Sequence, residues 1–306
     1  MSVRVGSQLL PIDWGAISPL RVSAQLVAEG LYSGMHRSRR RGAGVEFGGQ
    51  RPYVAGDDLR FLDLRALMRH DKLMLRQFET ETERGIWVCL DASASMAYRG
   101  PDAPGAKLAY AALLAAALTR VATSGQDPVG LAWLGGEDLQ DVPGTFGNGA
   151  FERIVSRLET ATASGDLSQD PEAVDRTLRV LARRAGRGTV VVVFTDLLDL
   201  PDDALSSIVS LGSGPRAVVV VQVLDPYERE LGFRGKVRLR PMEGSGVVVT
   251  DADAVRREYK ARLAELEARC RTVIESEGGR LVTATSSEDA VAVLRRILVA
   301  IGEARR

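Results

Sequence analysis

Four short apolar runs, Ile86–Leu90, Val129–Leu134, Val190–Phe194 and Ala217–Leu224, are rich in valine and too short for helices. Unbroken runs of this length predict strands buried on both faces of a sheet. The segments between them carry helical character instead: Ala- and Leu-rich Lys107–Thr123, then Phe151–Leu158, Pro171–Arg184 and Asp202–Leu211. Strand alternating with helix predicts an α/β fold built on a doubly wound, mostly parallel sheet.

The rhythm continues to the C-terminus. Val255, Tyr259, Leu263, Leu266, Cys270 and Val273 recur at three and four residues, which predicts a long helix that stops at Gly278-Gly279. Arg280–Thr283 offers a last strand, and Ser286 with Asp289 resembles a capping box opening a final helix through Val293, Leu294, Ile297 and Ile301. Residues 226–250 break the alternation; Lys236–Arg240 and Gly246–Thr250, separated by turn residues, predict an inserted β-hairpin. Gly-rich Gly135–Gly149 suits a loop or short edge hairpin. Residues 1–83 differ in kind, with one helix from Pro19, capped by Ser18 and ended near Gly34, before a Gly- and Arg-rich stretch. The expected division is an N-terminal extension, 1–83, and a main domain, 84–306.

With 306 residues, 45% of them hydrophobic, the chain can bury a large core without staples. Forty basic residues balance forty acidic ones, so no overall field draws nucleic acid or an anionic membrane. Cys89 lies in an apolar run and Cys270 on the apolar side of a helix, which fits small buried hydrophobes rather than a disulfide or a zinc site. No apolar run approaches the roughly 18 residues that a membrane span requires, and the N-terminus lacks a signal-peptide core. The expected address is the cytoplasm.

Two predicted strands end in acid. Ile86–Leu90 runs into Asp91-Ala92-Ser93-Ala94-Ser95, and Val190–Phe194 runs into Thr195-Asp196. In an open parallel sheet ligands sit beyond the carboxyl ends of strands, so neighbouring strands would turn Asp91 and Asp196 into one cleft. Two carboxylates and the hydroxyls of Ser93 and Ser95 suit Mg²⁺ or Mn²⁺, a hard ion that wants about six oxygens and keeps several waters. Alternate spacing lets one turning loop aim Asp91, Ser93 and Ser95 inward together. The same residues also suit a purely structural loop whose serines cap the next helix. Asp199, before Leu200-Pro201, and Asp225, before Pro226, have the look of helix-start and turn residues.

Several further motifs stand in order along the chain: His36-Arg37-Ser38-Arg39-Arg40-Arg41-Gly42, Gly44-Val45-Glu46-Phe47, Arg51-Pro52-Tyr53, Gly56-Asp57-Asp58-Leu59-Arg60, Asp91 to Met96, Leu224-Asp225-Pro226 and Val237 to Glu243. On these, from about residue 20 to the last helix, the chain resembles the bacterial domain-of-unknown-function 58 (DUF58) family, whose core is similar to von Willebrand factor A domains. The resemblance implies a metal-ion-dependent adhesion site at Asp91, Ser93, Ser95 and Asp196, and a MoxR-type AAA+ ATPase as partner, with a client protein it does not name. Related sites take a further Thr from a Gly-Gly-Thr-Asp-Leu-like loop. Here the comparable stretch is Ala163-Ser164-Gly165-Asp166-Leu167, so the resemblance implies weak metal affinity unless Thr162 or Ser164 substitutes. Asp63-Leu64-Arg65 replaces the family's Asp-Trp-Arg.

Arg37, Arg39, Arg40 and Arg41 form a basic cluster without interleaved aromatics, which fits salt bridges to acids of the extension, or to a partner's acidic surface, better than nucleic acid. Enzyme readings find little support. A phosphatase of the haloacid dehalogenase type needs a second acid where Ser93 stands, His36 and His70 flank no Gly-x-Ser-x-Gly elbow, and no Gly-x-x-x-x-Gly-Lys loop is present. The expected function is a non-catalytic, metal-assisted protein-binding module. A scaffold with a decayed metal site is the alternative, and a metal-dependent hydrolase is the least supported.

Overall fold

A computed structural model describes residues 9–36, 50–52, 74–76 and 85–305, apart from 199, 201, 213, 215, 244 and 245. The chain forms two compact units, Met1–Ser33 with Glu83–Arg306, and Gly34–Thr82. The Arg37–Arg41 cluster, Gly56-Asp57-Asp58, Asp63-Leu64-Arg65 and Asp199 lie outside the described residues. Twelve strands are described: β1 (Leu10–Pro11), β2 (Gln50–Pro52), β3 (Met74–Arg76), β4 (Ile86–Asp91), β5 (Val129–Leu134), β6 (Val142–Thr145), β7 (Thr162–Ala163), β8 (Val190–Thr195), β9 (Ala217–Leu224), β10 (Lys236–Leu239), β11 (Val248–Asp251) and β12 (Arg280–Thr285). In the smaller unit β2 and β3 pair antiparallel.

The larger unit is organised by a six-stranded sheet in the order β12-β9-β8-β4-β5-β6. Every pair is parallel except β5 with the edge strand β6. This is the expected doubly wound sheet, and the apolar runs explain it. All residues of β4, β5, β8 and β9 are buried, because helices cover both faces. Alternate residues feed two separate cores. Val88, Leu90, Val192 and Phe194 join the Lys107–Ser124 and Ala290–Ala304 helices on one face, while Cys89, Val191, Val193 and Val220 join Pro171–Arg184, Asp202–Ser210 and Ala252–Ser276 on the other. Burying each such Val, Leu, Ile or Phe contributes about 1.5–3 kcal/mol. Ile17, Leu20, Ala24 and Leu31, from the Leu20–His36 helix and the turn before it, complete the first core.

The sequence between 226 and 250 holds the expected hairpin, β10 paired antiparallel with β11, preceded by a short Pro226–Glu230 helix. The 135–149 stretch provides the edge strand β6. The final helix starts differently from expectation. Its cap is Asp289, which accepts from the Val291 and Ala292 amides, whereas the Ser286 hydroxyl is buried without a hydrogen-bond partner. Strand β12 runs to Thr285 and the Ser286 amide is tied to the Leu224 carbonyl, so helical geometry can begin only beyond it.

The order of the sheet reverses between β4 and β8. From β4 the chain moves outward to β5 and β6, and later returns to the other side through β8, β9 and β12. Leu90 pairs with Phe194, so Asp91 and Asp196 leave the sheet together at the crevice that such a reversal opens.

Candidate metal centre

Each side chain of the centre is placed by a short local device. Asp91 ends β4 and is buried. Its Oδ1 accepts the Ser93 amide at 2.9 Å, which bends the chain into the Ala94–Ala97 turn, and its Oδ2 accepts the Thr195 hydroxyl at 2.7 Å. Ser93 and Ser95 hydroxyls stand 3.2 Å apart, and the Ser95 hydroxyl donates to Asp196 Oδ2 at 2.7 Å. Asp196 Oδ1 accepts the Leu198 amide, while Gln222 on the neighbouring strand donates its side-chain amide to the Asp196 carbonyl. Asp91, Ser93, Ser95 and Asp196 thus form one connected buried cluster.

Four further residues enter that the sequence reading did not assign to the site. Thr195 holds Asp91. Lys107, fully buried at the start of its helix, donates to Asp196 Oδ2 at 2.8 Å and to Glu228 Oε1 at 2.7 Å. Glu228 comes from the Pro226–Glu230 helix. Glu243, in the β10–β11 loop, accepts the Ser95 amide on Oε1 at 2.8 Å. A lone ammonium opening an otherwise apolar helix was the visible signal for Lys107, and Glu243 closes the last of the motifs that carry the family resemblance.

The charges do not balance. Asp91, Asp196, Glu228 and Glu243 bring four carboxylates to one ammonium. Burial and the neighbouring Asp196 charge push the Asp91 carboxyl up to about 7, despite its bonds from Ser93 and Thr195. Asp196 goes the other way: burial opposes its ionisation, but the Lys107 ammonium and its hydrogen bond hold it below the usual carboxylate range. Burial raises Glu228 and Glu243. Lys107 stays protonated, since the pull of Asp196 and Glu228 outweighs its own desolvation.

This donor set fits a hard cation. The clustered atoms are oxygens, negative charge is in excess, and two buried oxygens beside them, Glu243 Oε2 and Gln222 Oε1, have no hydrogen-bond partner. No three Asp, Glu, His or Cys side chains among the described residues converge to hold an ion by themselves, so hydroxyls and waters would complete the shell. The two substitute candidates sit elsewhere. Thr162 pairs with Pro11 in the β1–β7 ladder, and the Ser164 hydroxyl accepts the Glu137 amide at 2.9 Å. Their segment nevertheless runs beside the Asp91–Ser95 loop, since the Ser164 amide donates to the Ala92 carbonyl and the Ala94 amide donates to that of Gly165. Gly165 is left-handed, at φ +82°, with open space where a Cβ would stand.

Residues 49–269 match the family described as "Protein of unknown function DUF58". The chain belongs to the DUF58 family. Uncharacterized proteins of Mycobacterium tuberculosis (strain ATCC 25618 / H37Rv) and Mycobacterium bovis are 28% identical over 254 residues, covering 81% of this chain and 77% of each relative. Among solved structures, an aerotolerance-related membrane protein of Bacteroides fragilis aligns with a TM-score of 0.46 at 20% identity, over 71% of this chain and 98% of that one. BatB of Bacteroides thetaiotaomicron gives 0.46 at 18% over the same shares, and the von Willebrand factor A domain of SpRpn10 gives 0.36 at 11%, over 70% and 94%. In this DUF58 protein the sheet described above is mostly parallel, with an antiparallel edge strand β6 and two acids at the reversal. No described helix is long and apolar enough to cross a membrane.

Proposed function

We propose that this DUF58 protein is a non-catalytic protein-binding module, in which Asp91, Ser93, Ser95 and Asp196 hold Mg²⁺ or Mn²⁺ and a partner protein engages the site with a carboxylate. The surplus of buried carboxylates around the paired hydroxyls of Ser93 and Ser95 supports this reading. A divalent ion relieves that surplus, and neutral serine ligands leave it electron-poor enough to attract one more anion. The family resemblance supplies the partner class, a MoxR-type AAA+ ATPase, and with it a cytoplasmic setting; the client protein is open. In thermal denaturation, millimolar Mn²⁺ should raise the melting temperature of the wild type by mass action, and Ser93→Ala/Ser95→Ala should abolish that rise while remaining folded. Capture of the ATPase should fall in the same variant and in EDTA.

One observation favours a second reading. Lys107 already places a cation on Asp196 Oδ2, so the cluster has an internal counter-charge. If the site is a scaffold that has lost its metal, Mn²⁺ leaves the wild type and the double serine variant alike unchanged.

A further inference from the structure

The β10–β11 hairpin returns to the site across 148 residues of sequence, and Glu243 is its point of contact. The hairpin does not need this contact for itself. Its ladder runs from Lys236↔Asp251 to Leu239↔Val248 and stops there, four residues before Glu243 on one strand. Glu243 Oε1 takes the Ser95 amide, but Oε2 is buried with no hydrogen-bond partner. A carboxylate oxygen stripped of water without replacement is costly, and such atoms call for an unrecorded ligand or ion. Around this anchor the hairpin exposes Met242 and Val247, Val248 and Val249, the last at 73% exposure.

We propose that Glu243 is the site's own acidic ligand: its carboxylate stands where a partner's carboxylate completes the cation's shell, so the Glu243 side chain must leave before a partner's carboxylate enters. The inference rests on the metal reading above. It assigns Glu243 a role as an internal plug. The competing role for Glu243 is a plain cap on the Ala94–Ala97 turn, which would leave ion binding untouched.

The test is Mn²⁺ titration of the full chain, followed by the electron paramagnetic resonance signal of the free ion, with and without excess sodium acetate. Wild type, Glu243→Ala, Glu243→Gln and Asp91→Ala are compared. Asp91→Ala should lose Mn²⁺. Both Glu243 variants should bind it about tenfold more weakly, as loss of a well-placed carboxylate at a metal site does. Acetate should restore most of that loss in Glu243→Ala, where the position is vacated, and should leave the wild type unchanged, where it is filled. Equal Mn²⁺ affinity in wild type and Glu243→Ala, with acetate silent in both, overturns the inference and leaves the metal reading intact. So does acetate that tightens the wild type as much as the variant. Failure of the wild type to take up Mn²⁺ at all removes the metal reading, and the plug with it.

Discussion

Asp91 ends β4 and Asp225 follows β9, strands of one sheet with β8 between them; both acids are buried and both accept two hydrogen bonds, yet they do different work. Asp225 caps the Pro226–Glu230 helix: Oδ1 takes the Tyr227 amide, Oδ2 takes the Gly100 amide at 2.8 Å, and Glu228 closes the box on the Asp225 amide. Gly100 approaches so closely that a Cβ there would stand 2.3 Å from Oδ1. This corner satisfies its acid with backbone donors. Asp91 also has its two donors, but it faces a second carboxylate, and its proton is held to about pH 7. A buried strand-end acid therefore does not by itself mark a site; an acid whose charge is left over does. Lys107 joins the corners, with one hydrogen bond to Asp196 in the cluster and one to Glu228 in the capping box.

Breaking that joint should have the largest effect. Lys107→Met leaves Asp196 and Glu228 buried without their ammonium, and removing one partner of a buried ion pair typically costs about 3–5 kcal/mol. Urea denaturation should show the unfolding free energy lowered by that amount, read as a lower midpoint with the slope unchanged. A loss under about 1 kcal/mol would mean that water reaches the pair far more freely than its burial implies.

The two aspartates can then be separated. In the metal-free protein the folded state keeps the Asp91 proton to about pH 7, while the unfolded chain releases it near pH 4. Between those values the folded state binds more protons, so the Asp91 contribution falls as pH rises and levels off above about 7. Asp91→Asn removes this dependence. Its stability relative to the wild type should therefore improve steadily from pH 4 to pH 7, while Mn²⁺ uptake is lost. Asp225→Ala should instead lose about 1–2 kcal/mol, as helix caps do, and retain Mn²⁺ uptake. Chemical denaturation across pH, paired with Mn²⁺ titration, reads both; loss of uptake in Asp225→Ala would erase the distinction between the corners.

How far this contrast could be foreseen depends on distance along the chain. Runs such as Val129–Leu134 and Ala217–Leu224 became strands at their expected bounds, since an all-apolar segment of that length has few places to go other than the middle of a sheet. Asp91 and Asp196 were legible because their strands are adjacent, which fixes their carboxyl ends together. The metal loop itself was read from one motif of five residues. Lys107 and Glu243 carried a sequence signal but not a place at the site, and Glu228 carried neither, because each arrives from an element whose approach is decided by tertiary packing rather than local pattern. Asp225 was foreseen as a turn; it is a helix cap, since Pro226 at the first helical position has no amide to satisfy and its fixed φ suits the helix.

The smallest expected effect concerns Gly165, where the resemblance places a threonine. Adding the hydroxyl would raise ion affinity only if a side chain at this position reached the cluster. The backbone argues otherwise. At φ +82° a β-branched residue is strained, and the left-handed region typically costs a non-glycine residue about 1–2 kcal/mol. Gly165 also borders a hollow lined by Gly135, Gly136, Glu137, Asp166 and Leu167, whereas its own link to the metal loop is the carbonyl that accepts the Ala94 amide. Gly165→Thr should therefore lose about 1 kcal/mol and leave Mn²⁺ affinity unchanged, and Gly165→Ala should lose a similar amount, because strain and not the hydroxyl sets the loss. A gain in Mn²⁺ affinity confined to the threonine variant would mean that the loop turns its side chain toward Asp91 after all, and that the missing hydroxyl, rather than Lys107, limits how tightly the cluster holds an ion.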